Sequence, residues 1–146
     1  MKAERKHIRI GLFEGFKGED SILISADICG LRELEDVFLR LSNGAGSYDF
    51  SALSLLDVKY RIELVALNEE SNVGLKRAAD GKYEWRLSNE KWGEFREKIV
   101  ALYGLGVSGH QYLDSDSNAN DDFQVVCSWN EYSEDFWMQH SLSPND

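Results

Sequence analysis

Two stretches of this chain place apolar residues at intervals of three, four and three, each a few residues after a side chain suited to capping a helix. Leu31, Leu34, Phe38 and Leu41 follow Asp27, and Trp92, Phe95, Ile99 and Leu102 follow Ser88. That spacing lines one face of an α-helix, and an Asp or Ser side chain accepts a backbone N–H left free in the first turn. Gly44 and Gly46 follow the first run, and Gly104 follows the second, as helix stops. The spacing therefore predicts helices near 28–42 and 89–103. A helix with one apolar face needs a second layer to bury it.

The segments around each helix supply that layer. "HIRIGLFEGF" alternates Ile8, Ile10 and Leu12, and "SILISAD" follows across "FKGED", which reads as a hairpin. After the first helix come a short strand near "YDFSAL" and a longer one in "DVKYRIELVALN", with Val58, Tyr60, Ile62 and Leu64 on one face. "NVGLKRA" and "KYEWRLS" flank the turn Asp80-Gly81, a second hairpin. After the second helix, "GHQYLD" and "DFQVVCSW" pair across an acidic stretch. The expected class is α+β, an antiparallel sheet with two helices, in the order strand-strand-helix-strand-strand taken twice. At 146 residues one domain, 1–146, is expected, with pseudo-repeat halves 6–70 and 71–137. A displacement of 61 residues (27 to 88) also brings Ile22 onto Tyr83, Ile24 onto Trp85, and Ile62, Leu64 and Val65 onto Phe123, Val125 and Val126. Two readings fit: a degenerate duplication of a ββαββ unit, or the coincidence of two common patterns.

The formal charge is −10 and the sequence pI about 4.7. Affinity for nucleic-acid phosphates rests on Lys and Arg, so no nucleic-acid partner is expected; a basic protein partner is. The basic start "MKAERKH" lacks the apolar core of a signal peptide, and no stretch reaches the roughly 20 apolar residues of a membrane span. A cytoplasmic location and no membrane association are the expectation. Cys29 and Cys127 have no spacing that marks zinc or redox chemistry. Cys127 reads as a core residue, Cys29 as partly exposed, and a disulfide between them is not expected.

"LDSDSNANDDF" holds the densest chemistry: Asp114, Asp116, Asn118, Asn120 and Asp122 at alternate positions, with Asp121 beside the last. An EF-hand loop starting at Asp114 would need Gly sixth and a closing carboxylate twelfth, between helices. Those places hold Ala119 and Val125, between predicted strands. Three readings remain: a looser calcium site from Asp114, Asp116 and Asp122, a solvated turn, or a negative patch for a basic partner. His110 could serve as a general base, but in a strand it would stand roughly 13 Å from Asp114. His7 and His140, near the termini, have no sequence neighbours that suggest metal binding. The tail "SWNEYSEDFWMQH" interleaves Trp129, Tyr132, Phe136 and Trp137 with Glu131, Glu134 and Asp135. Such aromatics either cover a sheet or anchor a protein partner steered by the carboxylates. Base stacking fits less well without a positive groove.

In "EKWGEFREKIVAL", "SGHQYLD" and "DDFQVVCSWNEYSED" the chain resembles small bacterial immunity proteins of polymorphic toxin systems. Trp92, Gly109, His110, Tyr112, Leu113, Asp114, Val125, Val126, Ser128, Glu131 and Tyr132 carry the likeness, which covers roughly the last 60 residues. It implies a cytoplasmic antidote that binds one toxin domain and blocks it without catalysis. The leading expectation is such a non-enzymatic protein occluding a basic toxin surface through Asp114, Asp116, Asp121, Asp122, Trp129, Tyr132 and Trp137, with no cofactor and no metal. The alternatives are a small hydrolase or metal-dependent enzyme built on His110 and nearby carboxylates, and a structural or oligomerising domain. Without the Gly turn and closing carboxylate, calorimetric titration should show no sub-micromolar calcium binding; tight binding would restore the metal reading of the loop.

Overall fold

The structure, a computed structural model, describes residues 7–16, 19–57, 59, 62–104, 109–113, 123–129 and 136–137. Strand β1 (Ile8–Phe16) folds back antiparallel on β2 (Glu19–Ala26), as the alternation predicts. Helix α1 (Ile28–Ser42) leads to the short β3 (Ser47–Asp49), a 3-10 turn at Phe50–Ala52 and β4 (Glu63–Asn68). The hairpin of β5 (Gly74–Ala79) and β6 (Lys82–Leu87) precedes α2 (Asn89–Gly104). Finally β7 (Gly109–Tyr112) pairs antiparallel with β8 (Gln124–Trp129). Strand β4 is shorter than its alternation predicts: Val58 and Tyr60 lie outside the described residues, while Ile62 and Leu64 are buried. Among the described residues no helix is long and apolar enough to cross a membrane.

Both caps form as the sequence predicts. The Asp27 carboxylate accepts from the Gly30 N–H at 2.9 Å, and the Ser88 hydroxyl accepts from the Lys91 N–H at 3.2 Å. Helix α1 starts hard against the first hairpin. A Cβ on Gly30 would lie 2.6 Å from the His7 carbonyl oxygen, so glycine permits the approach.

The α+β class holds, but the strands form two sheets, ordered β1-β2-β8-β7 and β3-β4-β6-β5. Each sheet takes one hairpin from each half of the chain, and the hairpins join through central parallel pairs, β2 with β8 and β4 with β6. The sheets are therefore mixed where an antiparallel sheet was expected. The helices impose this: α1 carries the chain from β2 in the first sheet to β3 in the second, and α2 returns it from β6 to β7. The displacement of 61 recurs in the registers. Ile22 lies opposite Val125 and Ile24 opposite Cys127, while Tyr83 lies opposite Leu64 and Trp85 opposite Ala66. Arg96 and Glu35, also 61 apart, meet at 3.3 Å between the two helices.

Both predicted helix faces point into one core with the inner faces of the two sheets. At its centre Phe38 of α1 stacks on Trp92 of α2, with ring centroids 5.8 Å apart, and Trp85 of β6 meets Trp92 edge-on at 5.1 Å. Phe95 packs on both indoles, and all four side chains are fully buried. Truncating Trp92 to Ala should cost about 3–5 kcal/mol. Urea unfolding of Trp92→Ala checks this, and an unchanged midpoint would refute the orientation of α2.

Candidate functional site

The acidic stretch leaves the first sheet from a hydrogen-bonded stem. The Leu113 N–H donates to the Val125 carbonyl at 2.9 Å, and Leu113 is buried. Across the loop, Phe123 meets the edge of the Tyr83 ring at 5.4 Å, which ties the stem to the second sheet. Asp114, Asp116, Asp121 and Asp122 themselves, and Tyr132, lie outside the described residues. Their point of departure is nonetheless set, at the start of β8. Because β2 runs parallel to β8, its start lies at the same end: Ser21 is opposite Gln124, whose amide donates to the Ser21 hydroxyl at 3.0 Å. Exposed Asp20 therefore flanks the base of the loop.

The aromatic residues expected beside the loop are placed differently. Trp129 ends β8, five steps beyond Gln124 and so about 17 Å along the strand. It is half-buried and packs on the inner core, away from the loop. Trp137 is fully buried on the opposite, outer face of the first sheet, among Phe13, Leu23 and Val126. Phe13 meets its indole edge-on at 4.8 Å, and Phe136 stacks on Phe13 at 5.5 Å. A Cβ on Gly11 would stand 2.7 Å from Trp137 Cζ3, so the indole lies directly on β1. Trp137 thus covers its own sheet and is not a surface anchor. The signal was present in "QVVCSW", where consecutive apolar residues mark a strand covered on both faces.

The aromatic groups near the loop are on β7, the edge strand. His110 pairs with Ser128 and Tyr112 with Val126, so both side chains share the outer face with Trp137. The His110 and Tyr112 rings meet edge-on at 5.4 Å, and Tyr112 and Phe136 are half-buried against the Trp137 cluster. Lys98 of α2 donates to the Tyr112 carbonyl at 2.6 Å and holds this edge to the helix layer. His110 and Tyr112 thus form an aromatic pair on β7 beside the origin of the acidic loop, while Phe136 lies on Phe13 of β1 on the same outer face.

A second arrangement was not legible in the sequence. His7, just before β1, meets Asp27, just after β2, because antiparallel pairing of Ile8 with Ala26 brings those ends together. A ring nitrogen of His7 is hydrogen-bonded to the Asp27 carboxylate, and Cys29 in the first turn of α1 completes a group of three. His7 therefore has the neighbours that its place in the sequence did not show. Cys127 is a different case: it is a free thiol, fully buried in the core, and burial pushes its pKa up to about 12.

No family model, curated protein or solved structure matches this chain. The resemblance to immunity proteins therefore rests on the sequence motifs alone.

If Trp137 is core, Trp137→Ala should cost about 3–5 kcal/mol. Gly11→Ala should cost about 1–3 kcal/mol through overpacking, and much less once Trp137→Ala has vacated the space. Urea unfolding of the two single variants and the double variant measures this coupling; additive costs would show that Trp137 does not rest on Gly11.

Proposed function

We propose that this protein is a non-enzymatic inhibitor of the immunity type, which neutralises a basic toxin domain by covering its active surface. The observation that carries the reading is the concentration of Asp114, Asp116, Asp121 and Asp122 in one loop, in a chain of net charge −10. The loop springs from the stem at Leu113 and Val125, with Asp20 and the His110–Tyr112 pair near its base. Its carboxylates would take the places that substrate phosphates occupy on the cationic partner. Half-buried aromatic groups next to such charges supply the desolvated centre that an interface needs. Tyr112 and Phe136 replace Trp137 in that role, and Tyr132 of the tail is kept as a candidate from the sequence alone. Trp129, at the far end of β8, contributes only if the partner spans the sheet. The inhibitor would act in the cytoplasm and need no cofactor.

The test is binding kinetics against the basic toxin domain that this reading expects to be encoded beside the chain. Loop charges should govern encounter more than residence. Changing Asp116 and Asp121 to Lys together should slow association about tenfold or more at low salt. That deficit should close as the Debye length falls to about 3 Å at 1 M. Tyr112→Ala should leave association nearly unchanged and speed dissociation roughly thirtyfold, the loss of about 2 kcal/mol from an anchor. Circular dichroism confirms the fold of each variant. Unchanged rates in folded variants would remove this surface from the interface.

A further inference from the structure

Three side chains of metal-ligand type converge where β1 and α1 begin. A His7 ring nitrogen, an Asp27 carboxylate oxygen and the Cys29 Sγ all lie within 4.8 Å of one another. Among the described residues, this is where His, Cys, Asp or Glu side chains gather in a group of that kind. The His7 and Asp27 side chains are 15% and 29% exposed, and Cys29 is exposed, so the group is walled by protein on one side and open on the other.

The backbone holds these residues in place independently of any ligand. The His7 N–H donates to the Leu55 carbonyl at 3.0 Å, and the His7 carbonyl accepts from the Asp27 N–H at 3.1 Å. The Asp27 Oδ1 is engaged by the Gly30 N–H, which turns Oδ2 toward His7. The close approach at Gly30 fixes the first turn of α1, and with it the Cβ of Cys29, against the hairpin.

The matching corner of the other half shows that the fold does not require these residue types. Displaced by 61, Asp27 becomes Ser88, Cys29 becomes Glu90 and His7 becomes Asn68. There Ser88 caps α2, and the tie that His7 makes to Asp27 is made by Asn72, whose side-chain oxygen accepts from the Ser88 N–H at 2.9 Å. A cap and a tether therefore suffice to start the helix, and an imidazole plus a thiol exceed that need.

We propose that His7, Asp27 and Cys29 form a binding site for a divalent transition metal of the zinc class, with three protein ligands and one position open to solvent. The mixture of imidazole, carboxylate and thiol selects this class; calcium and magnesium prefer oxygen ligands alone. Tetrahedral bonds of about 2.0–2.3 Å put neighbouring ligand atoms roughly 3.5 Å apart. Rotation of the exposed Cys29 side chain supplies the remaining approach. On binding, the cation takes the place of the hydrogen bond between His7 and Asp27, and Cys29 ligates as thiolate. Protons pass to solvent and no oxidation state changes. The site goes beyond the proposed inhibitor role and does not depend on it.

Cobalt(II) titration of the reduced full chain tests the site, since thiolate ligation gives a near-ultraviolet charge-transfer band. The expected result is a band that saturates at one cobalt per chain and disappears when zinc is added. Cys29→Ser should abolish the band, because Cys127 is enclosed in the core. His7→Gln should weaken cobalt binding about tenfold or more, with the far-ultraviolet circular dichroism spectrum retained. Zinc should raise the thermal midpoint of the wild-type chain and leave that of Cys29→Ser unchanged. Absence of the band, its persistence in Cys29→Ser, or unchanged cobalt affinity in folded His7→Gln would each overturn the proposal.

Discussion

The structure depends on two parallel strand pairs, β2 with β8 and β4 with β6. A two-stranded hairpin alone is marginally stable in water. Here each outer hairpin becomes part of a four-stranded sheet only by joining a hairpin from the other half of the chain. The first pair is far apart in sequence: Ser21 lies opposite Gln124. Loop-closure entropy opposes such pairings until packing rewards them, so folding must gain its stability late and cooperatively. The contact of Phe38 and Trp85 with Trp92 supplies that reward, because it gathers α1, β6 and α2 at one point.

The exchange of hairpins also determines which surfaces remain for function. The first sheet is covered on its inner face by the common core and on its outer face by Trp137 and Phe136. Aromatic area expected to meet a partner is thereby spent on the protein's own sheet. What stays partly open is the edge, where His110 and Tyr112 of β7 border the acidic loop. Aromatic surface next to the stem of the acidic loop is therefore found at the edge of the sheet, on other side chains than the tail composition implies.

The two helix starts illustrate how one architectural task leaves room for different chemistry. Both corners cap a helix and tether the incoming chain, at Asp27 with His7 and at Ser88 with Asn72. The second corner opens on a hollow of about 570 Å³ lined by Asn68, Glu69, Glu70, Ser88, Asn89 and Glu90. Hard oxygen and amide groups line that hollow, whereas the first corner combines nitrogen, oxygen and sulfur.

Local physics was legible in the sequence. The intervals in Leu31–Leu41 and Trp92–Leu102, the caps Asp27 and Ser88, and the Asp80-Gly81 turn each report conformations set by residues within a few positions. The chain alone therefore determined the helices, the three hairpins and the acidic stretch between β7 and β8. Tertiary structure decided the rest: which hairpins share a sheet, that their junctions run parallel, that Trp137 is core, and that His7 meets Asp27 and Cys29. Side-chain periodicity states which face of an element is apolar but not which distant element will cover it. That choice belongs to whole-molecule packing, where Gly11 leaves room for an indole and a hairpin brings His7 and Asp27 together.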